Sequence, residues 1–263
     1  MMLENKIAVI YGAGGDVGGA VARAFAREGA KLFLCGRNLR KVEAVAADVT
    51  GRGGVAEAAQ VDALDERAVE AYVGAVAEKA GAIDISFCAI GISSALPQKA
   101  PLLELSADDF ALPIATYTRA NFLTARLAAR RMVARRSGVI LTITATPSRL
   151  AFPNVGGGAP AFAAVAALTR TLSVELAPQG VRVVGLMPNA MPETETIRTN
   201  FERYAKAMGV TTAEYQARIE SMTHLRRLTS LVELGNVAAF LASDQASAMT
   251  GTVANLSGGA VLD

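Results

Sequence analysis

The chain of 263 residues has no tryptophan, one histidine and two cysteines, and aromatic residues make up only 5% of it. Two cysteines without metal-ligand spacing exclude a disulfide-stapled or zinc-stapled design and point to free thiols in a reducing cytoplasm. Net charge is only +2 and is dispersed, and no basic stripe is interleaved with aromatics, so a nucleic-acid surface is not expected. The one local cluster, Arg130, Arg131, Arg135 and Arg136, reads as a solvated helix face. No apolar run reaches the roughly 18 uncharged residues of a membrane span, and no signal-peptide layout opens the chain.

What the chain has is a 52% apolar composition in which β-branched runs alternate with helical patterns. Strands are expected near 6–11, 31–36, 57–62, 83–90, 138–145, 181–187 and 252–256, and helices at 16–29, 38–48, 65–80, 107–135, 160–177 and 231–242. This predicts an α/β chain with a Rossmann-type, doubly wound, seven-stranded parallel sheet, helices on both faces, and one domain over 1–263. The alternation breaks at about 190–227, which is expected to form a small helical lid over an apolar pocket. Cys35 and Cys88 end strands two places apart in such a sheet, roughly 10 Å from each other and too far for a disulfide.

The most informative stretch follows the first strand. Ile7 to Tyr11 runs into Gly12, Gly14, Gly15, Gly18 and Gly19, then into an alanine-rich helix. Glycines allow a tight turn and close backbone approach to a pyrophosphate, and a helix N-terminus offers it free N–H groups. Gly12, Gly14, Gly15, Val17 and Gly18 are therefore candidate cofactor contacts. The second strand ends in Gly36-Arg37, where NAD-binding folds carry an acid for the adenine ribose. Arg37, with Arg40 and Lys41 behind it, suits a 2′-phosphate, so NADP(H) is expected over NAD(H). Asp62, after the third strand, is placed either to meet the adenine edge or to cap the next helix.

In order along the chain, the glycine turn, Val61-Asp62, Asp84 to Gly91, Leu168 to Leu172 with Glu175, Val181 to Pro188, Phe240 to Asp244, and Ser257-Gly258-Gly259 resemble the short-chain dehydrogenase/reductase family over nearly the whole length. The resemblance implies a nicotinamide cofactor, a homotetramer or homodimer, and cofactor surroundings that include Ala89, Gly91, Pro188 and Met191. Two departures stand out. Asp16 replaces a glycine beside the pyrophosphate, where it would repel the anion or cap the helix, and Cys88-Ala89 replaces a pair of asparagines.

The family's proton chemistry uses a tyrosine, a lysine four residues on, a serine about thirteen before, and an asparagine on the preceding helix. Counting from the matched segments puts these positions at Gly158, Phe162, Ala145 and Tyr117. No Tyr-x-x-x-Lys pair occurs anywhere in the chain. Tyr117 is the candidate replacement donor. Thr144, Thr146, Ser148, Arg149, Asn121 and His224 are weaker ones, and Glu193 and Glu195 are expected to face solvent. A wall of Phe162, Ala145 and Met191 suits a small apolar carbonyl or activated alkene as substrate. The expected function is thus an NADP(H)-dependent oxidoreductase with an unconventional proton donor. Two alternatives are a catalytically inactive, cofactor-binding scaffold, sensor or partner subunit, and a lyase or isomerase on the same fold.

Overall fold

Seven apolar segments pair edge to edge in the computed structural model, which describes residues 1–92 and 100–262. They are β1 (Ile7–Tyr11), β2 (Lys31–Gly36), β3 (Val55–Gln60), β4 (Ile85–Cys88), β5 (Gly138–Ile143), β6 (Val181–Pro188) and β7 (Val253–Leu256). All pair in parallel, in the order β3-β2-β1-β4-β5-β6-β7. The direction of winding reverses between β1 and β4, which opens a crevice beyond the C-terminal ends of those strands.

Alternation along the strands divides the core. Ala8, Ile10, Leu32 and Leu34 pack with Val21, Phe25, Val42, Leu234 and Ala238 of α1 (Asp16–Arg27), α2 (Leu39–Gly51) and α8 (Leu231–Ala242). Val9, Tyr11, Phe33 and Cys35 turn to the other face. There they meet Val69, Ala125 and Leu172 of α3 (Glu66–Ala80), α4 (Ala107–Arg135) and α5 (Gly158–Leu176). The inner strands β1, β2, β4, β5 and β6 are buried on both faces, which is why they read as apolar runs, whereas β3 and β7 at the two edges are only partly covered.

Several boundaries differ from the sequence reading. β3 lies two residues earlier than expected, because Gly36 pairs with Gln60 and the Val61 amide then turns to the Gly36 carbonyl. β4 covers only the middle of 83–90, since the Asp84 carboxylate accepts from the Ile7 amide before the strand begins and Ala89 bends against the glycine turn after it. β5 stops at Ile143, where a Pro147-containing 3₁₀ turn follows at Thr146–Ser148. α5 starts at Gly158 rather than residue 160.

The lid consists of two helices, α6 (Glu195–Met208) and α7 (Thr212–Ser221). An aromatic cluster joins them: Tyr215 packs edge-on to Phe201 at 5.3 Å and stacks on Tyr204 at 5.8 Å. The stretch Gly158–Gln179 is long and apolar enough by composition to cross a membrane. In the fold, its Ala161, Val165, Thr169 and Leu172 are buried. Thr169 bonds Thr142 of β5 at 2.6 Å. Cys35 and Cys88 are buried and unpaired, in register with Tyr11 from opposite sides of β1.

Candidate cofactor crevice and the Tyr117–Phe162 cluster

The glycine turn is built so that a side chain at either end would not fit. Gly12 has φ +73°, a conformation natural to glycine, and a Cβ there would lie 3.1 Å from the Ala89 carbonyl carbon. A Cβ on Gly18 would stand 2.4 Å from the Gly12 carbonyl oxygen. The turn closes through Gly15 N–H to the Gly12 carbonyl at 3.1 Å, and Ala13 N–H anchors it to the Cys35 carbonyl at 3.0 Å. Gly15 is the N-cap of α1 and offers no capping side chain. The Val17 and Gly18 amides accordingly have no hydrogen-bond acceptor among the described residues. Two free amides at a helix N-terminus, with no Cβ in front of them, suit a phosphate. On these observations the cradle fits a dinucleotide.

Gly36 continues the cradle, since a Cβ there would come 3.8 Å from the Gly12 Cα. The next residue, Arg37, is exposed. Its guanidinium has no partner among the described residues, although its carbonyl accepts from Gln60 Nε2. Asn38 caps α2 by accepting from the Lys41 amide, and Lys41 Cβ would lie 2.8 Å from a Cβ on Gly14. Three cations thus follow β2 beside the turn, without a carboxylate among them. Ala89 forms the opposite wall, its amide bonded to the Tyr11 carbonyl, with Gly91 exposed beyond it. Pro188 ends β6 beside Leu256. Asp62 is exposed and accepts from the Leu64 amide at 3.0 Å, while the cap of α3 is Asp65. Of the two sequence readings of Asp62, helix capping is therefore set aside.

Of the four residues expected at the proton-transfer positions, Tyr117 lies on α4, Ala145 follows β5, and Gly158 and Phe162 lie on α5. Tyr117 is 3% exposed, and its hydroxyl donates to the Ile143 carbonyl at the end of β5. Its ring meets Phe162 edge-on at 5.4 Å. Burial pushes the Tyr117 phenol well above its ordinary pKa, so it is held as a neutral donor. Thr144, between Ile143 and Ala145, donates to the Phe162 carbonyl at 2.8 Å and straps β5 to α5. Gly158 is buried at the start of α5. Beside it, a Cβ on Gly157 would stand 1.9 Å from the Phe110 carbonyl oxygen, so this loop presses directly on α4. Tyr117, Ala161, Val165, Ile92, Ile114 and Phe162 form a small apolar cluster of their own.

Of the wall expected from Phe162, Ala145 and Met191, Phe162 and Met191 fall in different apolar clusters. Met191 is buried with the larger core cluster, and Phe162 packs with Tyr117, Ala161 and Val165. The weaker donor candidates are engaged elsewhere. Thr146 Oγ1 reaches Asn189 Oδ1 at 3.4 Å, Ser148 Oγ points to Met187 sulfur, and Arg149 donates to the Leu262 carbonyl. Asn121 is buried rather than on a helix surface, and donates to the Tyr117 carbonyl. His224 packs against Gly259, far along the chain in the turn after β7. The arginine cluster is an exposed face as expected, with Arg130 paired to Glu70 and Arg135 to Asp84. Among the described residues no group of three His, Cys, Asp or Glu side chains is placed to hold a metal.

Two roles were missed. Asp16 makes no capping bond to α1: its carboxylate accepts from the Glu195 amide at 2.8 Å, the first residue of α6. Glu193 is exposed yet accepts from the Leu231 amide at 2.7 Å, at the start of α8. An acid next to a helix start is a sequence signal for capping, but which helix it caps is decided only by the tertiary fold.

A family model described as enoyl-(acyl carrier protein) reductase matches residues 12–261. The chain belongs to the short-chain dehydrogenase/reductase family of oxidoreductases. It is 31% identical over 265 residues to oxidoreductase UcpA of Escherichia coli strain K12, covering 99% of this chain and 96% of that one. NAD⁺-bound xylitol dehydrogenase superposes with a TM-score of 0.90 at 27% identity, covering 98% and 100% of the two chains. A gluconate 5-dehydrogenase from Burkholderia cenocepacia, in complex with NADP and tartrate, gives 0.86 at 29% identity over 98% and 96%. Nicotinamide cofactors of both kinds thus occur among the structural neighbours.

Proposed function

We propose that this family member is an NADP(H)-dependent oxidoreductase that reduces a small apolar carbonyl or an activated alkene. The observation that carries the cofactor half is Arg37, an accessible guanidinium where an NAD-type site has a carboxylate, set one residue beyond a glycine packed on the phosphate turn. A planar guanidinium suits a 2′-phosphate, and Arg40 and Lys41 add to the local field. When bound, the reduced nicotinamide supplies a hydride. Gly12, Ala89 and the free amides of α1 hold and orient the dinucleotide. Tyr117 and Phe162 supply an apolar wall that excludes water from one side of the substrate.

The proton has to come from elsewhere. Ala145, Gly158 and Phe162 carry no exchangeable side-chain proton, and the Tyr117 proton is engaged by the Ile143 carbonyl. We assign the proton to water at the open side of the crevice and treat Tyr117 as a wall residue. Losing a built-in general acid typically costs about 10²–10⁴ in rate. A delocalised enolate asks less of a proton donor than a localised alkoxide, which favours the activated alkene. A cofactor-binding scaffold would keep the same cradle, so turnover rather than cofactor binding separates the two readings. Oxidation of NADPH over a panel of ketones, quinones and enones is the test. Turnover above the uncatalysed rate, highest with enones, is expected; NADPH binding without turnover of any of them would contradict it.

The outer faces of α4 and α5 support a homodimer or homotetramer. Val174 is 77% and Phe122 41% exposed, and a groove of about 630 Å³ lined by Phe122, Ala164 and Leu168 runs between the two helices. Unpaired buried cysteines support a cytoplasmic location.

A further inference from the structure

The lid root, residues 189–195, leaves β6 and passes two helix N-termini, and the links made there are carboxylates of this chain. Glu193 Oε2 accepts from the Leu231 amide of α8, and Arg198 donates back to the Glu193 carbonyl at 2.8 Å. Thr194 caps α6 by accepting from the Ile197 amide and donates to the Met191 carbonyl. A further tie is Asp16 Oδ2, which accepts from the Glu195 amide and joins the glycine turn to the lid across 179 positions of chain.

Asp16 is also the first residue of α1, whose N-cap Gly15 contributes no side-chain bond. Its carboxylate turns away from α1 and toward α6, so one negative charge serves the positive end of the lid helix. The Val17 and Gly18 amides stay open. Any phosphate seated on those amides shares the end of α1 with the Asp16 carboxylate, and like charges at that range repel.

We infer that Asp16 is a positioning residue with two opposed effects. It latches the lid root to the phosphate cradle before any ligand arrives, and its charge weakens the cradle's hold on a dinucleotide pyrophosphate. The latch stands on the geometry alone; the effect on affinity rests on the cofactor reading above. The lid root is thereby ordered in advance, at the expense of tight cofactor binding.

Two substitutions separate geometry from charge in the full-length protein. Asp16→Asn keeps an acceptor oxygen and removes the charge, whereas Asp16→Ala removes both. Hydrogen exchange at the Glu195 amide, measured without ligand, should be close to wild type in Asp16→Asn and about fivefold faster in Asp16→Ala. NADPH titration should show Asp16→Asn binding about three- to tenfold tighter than wild type, with the gap narrowing at high salt. Unchanged Glu195 exchange in Asp16→Ala would overturn the latch. Affinity in Asp16→Asn equal to or weaker than wild type would overturn the charge effect. If neither protein bound NADPH or NADH, the charge effect and the cofactor reading would fall together, while the exchange result would still decide the latch.

Discussion

The Tyr117 hydroxyl donates its hydrogen bond to the Ile143 carbonyl, the last carbonyl of β5. A strand-end carbonyl in the interior needs a partner, and the phenol supplies it while its ring closes against Phe162. Tyr117 therefore braces α4 against the central sheet. Tyr117→Phe should cost about 1–2 kcal/mol of stability, read as a lower denaturant midpoint, because the Ile143 carbonyl is left unpaired. Turnover should stay within about twofold of wild type, against the roughly 10²–10⁴-fold loss expected of a general acid. A loss of that larger size with the midpoint unchanged would make Tyr117 the donor.

The glycine turn makes a steric prediction. Gly18→Ala forces a Cβ to 2.4 Å from the Gly12 oxygen, backbone against backbone, and should destabilise the protein by about 1–3 kcal/mol. NADPH affinity should drop by at least about tenfold, since displacing this turn moves the amides that hold the phosphates. Gly51→Ala, where nothing lies within 4 Å of the added Cβ, should be neutral or stabilising by up to about 1 kcal/mol. Thermal melts and titrations of the two variants provide the comparison.

Much of this was legible in the sequence, and the reason is local chemistry. Gly12 to Gly19 announces a phosphate turn because backbone geometry there depends on a few residues in a row. The parallel sheet order follows from the alternation of apolar runs and helices, and Ala107–Arg135 ends where its Ser106 cap and its terminal arginines say it should. Met191 and Asp16 were not legible in the same way. Met191 follows β6, and its burial with the core cluster is decided by the path of the chain after Pro188. The bond from Asp16 to the lid was hidden because its donor is an amide 179 positions away. Asn121 fell to the inside because α4 is covered on two sides, by the sheet and by α5, which a single helical stripe does not reveal.

Acid should weaken the fold through the start of α8. The Arg227 guanidinium, helped by the Ser230 amide and hydroxyl, holds Glu233 down at about 2. A depressed carboxylate contributes stability above its unfolded pKa of about 4.3, and that contribution is lost as pH falls toward 2. Both partners are substantially exposed, so solvent screening limits the pair to under about 1 kcal/mol. Glu233→Gln should therefore melt lower than wild type at pH 7, with the difference vanishing near pH 2. A constant difference over that range would refute the ionic origin.

The buried thiols should be silent in the native state. Burial raises Cys88 to about 11 and drives Cys35 up as well, which leaves little thiolate at neutral pH. A thiol-titrating disulfide reagent should modify neither cysteine at pH 8 without denaturant and both after unfolding. Rapid native labelling would place one of them on an accessible surface.

Arg37 decides the central claim, and parallel titrations of wild type and Arg37→Ala with NADPH and NADH, followed by nicotinamide fluorescence, test it most directly. Wild type should bind NADPH at least about tenfold tighter than NADH, the size of one charge-assisted phosphate contact. Arg37→Ala should lose most of that preference while leaving NADH affinity nearly unchanged. Tighter binding of NADH by wild type, or binding of neither cofactor, would contradict the account.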